Sequence, residues 1–192
     1  MPAEQALVLA RHPGRVSAAA NRLVLDWSRE TLGSSTTARV VAEAERRHGV
    51  RVEAEGAWAP FATHLALLDA LASEVGVDRL AEAGRYNARH VERVVPGVGF
   101  LLKFVKPRRL LSEAPMLWKT YADFGRIERA EGRDGAGEIA FTGFAPTPAF
   151  CASLQGFFGG LLTRVGANAV RLEHPECLAK GAPRCRFVGA WA

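Results

Sequence analysis

The stretch at residues 127–144, IERAEGRDGAGEIAFTGF, decides the fold class. Its centre, from Gly132 to Gly137, is rich in turn-forming residues. The flanking residues 127–131 and 138–144 shorten the apolar period from helical toward two, the pattern of a β-hairpin. Toward the C-terminus, residues 150–165 are apolar on nearly every side, which predicts a buried helix. Residues 169–172 and 184–188 read as a second strand pair, joined by Lys180-Gly181-Ala182-Pro183. Toward the N-terminus the period lengthens. Ala18, Leu23, Val24 and Trp27 make an apolar stripe between Gly14 and Gly33, and Ser35 or Thr36 caps a helix through Val40, Val41 and Ala44 to Gly49. Pro60 suits the first turn of a helix carrying Leu65, Leu67, Leu68 and Leu71; Asp78 caps the next, which should end near Pro96. Shorter helical pieces follow at 100–105, 108–112 and 115–122. The expectation is an α+β protein: a helical N-terminal half, then a ββαββ unit forming a four-stranded antiparallel sheet packed by helices.

The 192 residues are 48% apolar and 23% charged, which excludes a disordered or fibrous chain. One domain over 1–192 is expected, with a helical front at 1–124 and a sheet and zinc-site half at 125–192. The 25 Lys and Arg against 20 Asp and Glu leave a net charge of +5. That admits an acidic partner, but no helix-turn-helix, finger or RNA-binding signature accompanies it, so nucleic acid is not an expected partner. The longest apolar stretch, 94–105, is broken by Pro96 and Lys103 and is shorter than the ~18 residues of a membrane span. Glu4, Arg11, His12 and Pro13 do not fit an export signal, so a cytoplasmic location is expected.

All three cysteines lie in the last 42 residues, in the pattern Cys151-x22-His174-x2-Cys177-x7-Cys185. A loop with Gly181 and Pro183 can fold Cys177 toward Cys185, and His174 is close enough to share an ion with Cys177. Three thiolates and an imidazole form a closed, soft set that suits structural zinc. Plain core cysteines, or a Cys177–Cys185 disulfide in an exported chain, are the alternatives.

The segment from Cys151-Ala-Ser-Leu-Gln-Gly through His174-Pro-Glu-Cys177 to Cys185-Arg-Phe-Val-Gly resembles the C-terminal half of the 4-vinyl-reductase domain. It is particularly similar to the version that senses aromatic effectors in phenol- and xylene-responsive activators. That resemblance implies zinc held by three cysteines and a glutamate; the three thiols coincide with Cys151, Cys177 and Cys185, and His174 stands in the glutamate's place. Gly84-Arg85-Tyr86-Asn87, Ala114-Pro115-Met116-Leu117-Trp118 and the Cys-x7-Cys hairpin resemble a myxobacterial family of similar length. That family is related to a superfamily that also holds haem–nitric-oxide sensors and vesicle-tethering subunits.

The haem-binding relatives carry Tyr-x-Ser-x-Arg, which neither Tyr86 nor Tyr121 begins, so no haem is expected; His90 is a conceivable iron ligand, but a helical histidine among Arg89 and Arg93 is more often solvent-facing. Gly156-Phe157-Phe158-Gly159-Gly160 places glycines in a helix at about 1 kcal/mol each, which implies a close backbone approach to a helix, a dimer axis or a ligand. Trp118, Phe141, Phe144, Phe157 and Phe158 are candidates to line an aromatic pocket, with plain core as the default. Arg85, Arg89 and Arg93 recur every four residues and are candidates for an anion- or partner-binding face. Lys103, Lys106, Arg108 and Arg109 form a second basic patch around Pro107. There is no Gly-x-Ser-x-Gly, complete nucleotide loop or His-Glu-x-x-His, so no enzyme is expected. The reading is a non-enzymatic sensory domain for a small hydrophobic effector, signalling through a protein partner or homodimer. A protein-interaction scaffold resembling the vesicle-tethering subunits is the alternative.

Overall fold

A computed structural model describes residues 13–52, 56–95 and 97–192; Glu4, Arg11, His12 and Pro96 lie outside them. A short strand β1 (Arg15–Ser17) leads into α1 (Ala18–Leu32) and α2 (Ser34–His48). Strand β2 (Trp58–Pro60) pairs antiparallel with β1, Val16 opposite Ala59, and opens α3 (Phe61–Val75). Then come α4 (Leu80–Arg89), the short α5 (Val98–Leu102) and α6 (Pro107–Tyr121). The second half holds β3 (Arg126–Arg133), β4 (Ala136–Thr142), α7 (Pro148–Arg164), β5 (Arg171–Glu176) and β6 (Cys185–Ala190). Its four strands form an antiparallel sheet in the order β3-β4-β6-β5. The α+β class, the helical front and the ββαββ unit are as expected from the sequence.

Local details differ for identifiable reasons. Neither Ser35 nor Thr36 caps α2, which starts at Ser34 directly behind Gly33 (φ 86°), while the Thr37 hydroxyl bonds to the Gly33 carbonyl at 3.0 Å. The helix expected from Asp78 stops at Arg89 and continues as a 3-10 turn, Val91–Arg93. That turn buries Val91 against Leu161 and Leu162 and lets Arg93 reach Asp26 at 2.8 Å. The two pieces expected at 108–112 and 115–122 are one helix, α6, running through Pro115. A proline costs a helix interior about 3 kcal/mol. Pro115 is exposed, and burial of Leu110, Leu111 and Trp118 on the other face offsets that cost.

The glycine run finds its explanation in α4. A Cβ on Gly156 would overlap the Ala81 backbone, one on Gly84 the Ser153 carbonyl, and one on Gly160 would meet Ala88. Helices α4 and α7 therefore cross backbone against backbone, and of the alternatives the close neighbour is a helix. Phe61, Phe141, Phe150 and Phe187, all essentially inaccessible, fill the space between this pair, α3 and the sheet. Among the described residues no helix is long and apolar enough to cross a membrane.

Helix α3 carries two ionisable groups out of full contact with water, His64 buried and Asp69 half-buried. His64 Nδ1 lies 2.6 Å from Asn21 Oδ1, and the Tyr121 hydroxyl lies 3.4 Å from His64 Nε2. Neutral histidine satisfies this chain, donating from Nδ1 and accepting at Nε2. Burial pushes His64 down from 6.5 to about 4. Burial pushes Asp69 up from 3.8 to about 6, against a hydrogen bond from Thr147.

Two predictions follow from this packing. Gly156→Ala should cost about 1–3 kcal/mol in urea unfolding despite the better helix propensity of alanine. Gly159→Ala, whose Cβ would meet nothing within 4 Å, should be neutral or stabilising. Equal effects of the two substitutions would refute the close crossing.

The second concerns pH. Between pH 6.5 and about 4 the unfolded chain protonates His64 and the native chain does not, so this group withdraws stability as pH falls. Asp69 keeps its proton natively up to about pH 6, so it withdraws stability as pH rises from 3.8. The two oppose each other across the shared window. Asp69→Asn should lose roughly 2–3 kcal/mol more than wild type on acidification across that window. His64→Gln should change in the opposite direction, and unaltered slopes in both variants would contradict the assignment.

Candidate functional site

Two features stand out, a cluster of thiols and an apolar cavity. The cluster sits where α7 meets the β5–β6 hairpin. Thr147 caps α7, its hydroxyl accepting from the Phe150 amide at 3.3 Å, which sets Cys151 in the first turn and facing the sheet. The loop after Cys177 folds back on that residue: Lys180 and Ala182 both donate to its carbonyl, through a 3-10 turn ending at Gly181 (φ 84°). Cys185 opens β6 with Phe187 and Gly189 on the same buried face. The ladder between β5 and β6 shifts register between Glu173 and Glu176, around His174 and Pro175. A bulge re-aims side chains, and proline has no amide to contribute to a ladder. The His174 ring stacks on Phe187, 4.1 Å between centroids and 11° from parallel.

All three cysteines are free and buried. Cys151 Sγ lies 3.7 Å from Cys185 Sγ and 3.6 Å from Cys177 Sγ, and the Leu178 amide donates to Cys185 Sγ at 3.4 Å. Ligand atoms of Cys151, His174, Cys177 and Cys185 all lie within 4.8 Å of one another. The hydrogen bond from Cys151 holds the Cys185 thiol below its ordinary value, helped by His174 and the Leu178 amide and opposed by burial. Cys151 is driven upward by its bond to Cys185 and by burial. Nε2 of His174 is buried without a hydrogen-bond partner among the described residues. The four residues the sequence singled out are thus together, with the donor set of a metal site.

The cavity, of about 70 Å3, lies between α6, α7 and the inner face of the sheet, with α5 along one side. Leu110, Leu117, Leu154, Leu161 and Ile139 supply much of its wall. Of the aromatic candidates, Trp118, Phe157 and Phe158 line it. Phe141 stands behind them, 4.9 Å from the Trp118 ring and 5.5 Å from that of Phe158. Phe144 belongs to a neighbouring group with Phe61, Phe124 and Phe150. Tyr121 also lines the cavity, its hydroxyl engaged with His64. Neither His64 nor Asn21 was a sequence candidate, because a lone buried polar residue on an apolar helix has no distinguishing spacing.

Arg85 and Arg89 are exposed on α4, Arg89 with its guanidinium 5.5 Å from the Tyr86 ring centre. Arg93 falls beyond the helix and pairs with Asp26. The every-fourth-residue face is therefore two residues long, with the third turned to α1. The second basic patch is more than charge, since Phe100 and Phe104 within it are exposed; their spacing of four was a readable signal.

No family model and no curated protein matches the chain. Solved structures do. The Fe(II) unliganded H-NOX protein from K. algicida is 15% identical with a TM-score of 0.66, over 92% of this chain and 96% of that one. An H-NOX protein from S. oneidensis in the Fe(II)NO ligation state is 13% identical with a TM-score of 0.67, over 92% and 99%. An NMR structure of an H-NOX domain from Shewanella oneidensis in the Fe(II)CO ligation state is 12% identical, with a TM-score of 0.64 over 92% and 98%.

These matches correct three expectations. The resemblance to the 4-vinyl-reductase domain, and to the myxobacterial family, does not hold, because the structures that match over nine-tenths of the chain are H-NOX proteins. The resemblance rested on local motifs, above all on cysteine spacing in one helix and one hairpin, whereas the fold match spans the chain. Structural zinc is not carried forward, since the matching structures are Fe(II) proteins and this chain itself shows only a Cys/His cluster. The exclusion of haem on a missing Tyr-x-Ser-x-Arg is also overturned, because the fold is one in which those iron proteins are built. The cavity wall holds no histidine, cysteine or methionine; it does include Tyr121, whose hydroxyl is engaged with His64, and Glu138, which pairs with Arg186, while the His90 ring lies against Tyr86, 4.6 Å between centroids. No histidine, cysteine or methionine of this wall stands ready to hold a haem iron in this arrangement, and the chain has the fold of the H-NOX proteins around a small, mostly apolar cavity.

Proposed function

We propose that this protein is a non-enzymatic sensory domain that takes a small apolar molecule between α6, α7 and the sheet. The observation that carries the reading is the cavity wall, apolar throughout its centre, with the one nearby hydroxyl, Tyr121, already engaged by His64. Apolar cavities of comparable scale stay dry and accept xenon or small hydrocarbons. The fold adds support, since the S. oneidensis protein that shares it is ligated by NO. In this reading Trp118, Phe157 and Phe158 touch the ligand and Phe141 supports them. Occupancy moves α7, and α4 follows because the two helices touch through backbone. The outer face of α4, with Arg85 and Arg89, then presents the change to an acidic partner or a second copy.

The Cys151, His174, Cys177 and Cys185 set belongs to the same proposal as a metal-ligand site tying the start of α7 to the β5–β6 hairpin. The unpartnered Nε2 of His174 favours that role over plain core packing.

Both parts are testable. At a benzene concentration ten times its Kd, wild type should gain about 1.4 kcal/mol and melt roughly 3–6 °C higher. Xenon should appear in the cavity under pressure. Leu161→Phe, which fills the space, should fold and lose both responses. Absence of xenon together with an unchanged melting temperature would remove the ligand reading and leave an interaction module. For the cluster, elemental analysis of untagged protein should find about one transition-metal ion per chain, absent from Cys151→Ser/Cys177→Ser. Metal-free, fully folded wild type would reduce the four residues to packing.

A further inference from the structure

The segment linking α5 to α6 is built unlike the rest of the surface. Phe100 and Phe104 are 65% and 74% exposed, the most exposed large apolar side chains among the described residues. Their rings lie together, 5.2 Å between centroids and 62° apart, so they form one apolar knob rather than two scattered residues. Lys103, Lys106, Arg108 and Arg109, all exposed, surround them in sequence, with no acidic residue between positions 100 and 112; Glu131, Asp134 and Arg133 border the groove beside Phe104, Lys106, Arg108 and Arg109, leaving the cations in excess. Arg109 pairs with Glu113 at 3.1 Å; among the described residues Lys103, Lys106 and Arg108 make no ion pair.

We propose that this segment docks the protein on an anionic lipid surface, with Phe100 and Phe104 entering the interfacial layer and Lys103, Lys106 and Arg108 meeting the headgroups. Charge complementarity selects this occupant. A second copy in a twofold arrangement would bring two basic patches face to face. An acidic protein would be met by the cations alone and would leave a paired aromatic knob without a role. An anionic bilayer uses both halves of the patch, because apolar insertion and attraction to charged headgroups add in one binding event. The knob is also firmly mounted: Val98 and Leu102 on α5 and Leu110 on α6 are buried beneath it.

The test is flotation of the full chain with vesicles of phosphatidylcholine alone or with about 30% phosphatidylserine. Wild type should float with the anionic vesicles only and be released by high salt. Phe100→Ser/Phe104→Ser should weaken flotation about tenfold or more at an unchanged melting temperature. Lys103→Glu/Lys106→Glu should abolish the preference for anionic lipid. Equal flotation with both vesicles, no flotation by wild type, or variants that float like wild type would each overturn the proposal. So would a wild-type dimer in light scattering that the phenylalanine variant dissociates, which would assign the knob to a contact between copies. Ligand binding in the cavity is measured without vesicles, so the failure of either proposal leaves the other standing.

Discussion

The contact on which the rest depends is the crossing of α4 over α7 at Gly84, Gly156 and Gly160. Helices normally stand apart by the thickness of two side-chain layers. Here both layers are missing at the crossing, so the positions of the two backbones determine each other. Helix α7 in turn lies on the sheet through Phe158, whose ring meets those of Phe141 and Phe187 at 5.5 and 5.4 Å. The helical front and the sheet are thus joined by one helix held tightly on both sides. The cavity lies along α7 on the side of the sheet, against Leu154, Phe157, Phe158, Leu161 and Leu162.

A cavity beside so tight a contact has a mechanical meaning. Close-packed interiors rearrange between discrete arrangements rather than deform gradually. Filling a space of about 70 Å3 beside α7 stresses a helix that has little freedom to bend, because its partner is backbone. In the proposed reading, the helix pair would then shift as a body. The hydrogen-bonded chain Asn21, His64 and Tyr121 runs from α1 through α3 to the cavity wall.

The hairpins and most helices could be read from the sequence because each buries one face and so imposes a period of two or 3.6. Helix α6 was read as two pieces because Pro115 signals a break, and only tertiary burial of Leu110, Leu111 and Trp118 carries the helix past it. The glycine run announced a close approach, but its partner could not be read because nothing local ties Gly156 to Gly84. The Cys/His cluster was anticipated from residue type and spacing, and the fold does bring those four side chains together. The bulge that turns His174 inward was not anticipated; of the expected pocket, Trp118, Phe157 and Phe158 do line the cavity, while its aliphatic wall, drawn from three helices and all four strands of the sheet, was not legible. The same segment misled on kinship. Spacing within one helix and one hairpin weighed more in the sequence than the course of the whole backbone, which is what the H-NOX matches measure.

The register shift at His174 and Pro175 has one more effect. Strand β5 lies at an open edge of the sheet, where a regular ladder of free amides and carbonyls would recruit the edge of another molecule. A proline and a bulge interrupt that ladder midway, while Arg171, Glu173 and Glu176 add charge along it. The irregularity that gathers the thiols and the imidazole thus also guards the sheet against aggregation, so that straightening β5 to improve its pairing would endanger solubility together with the site.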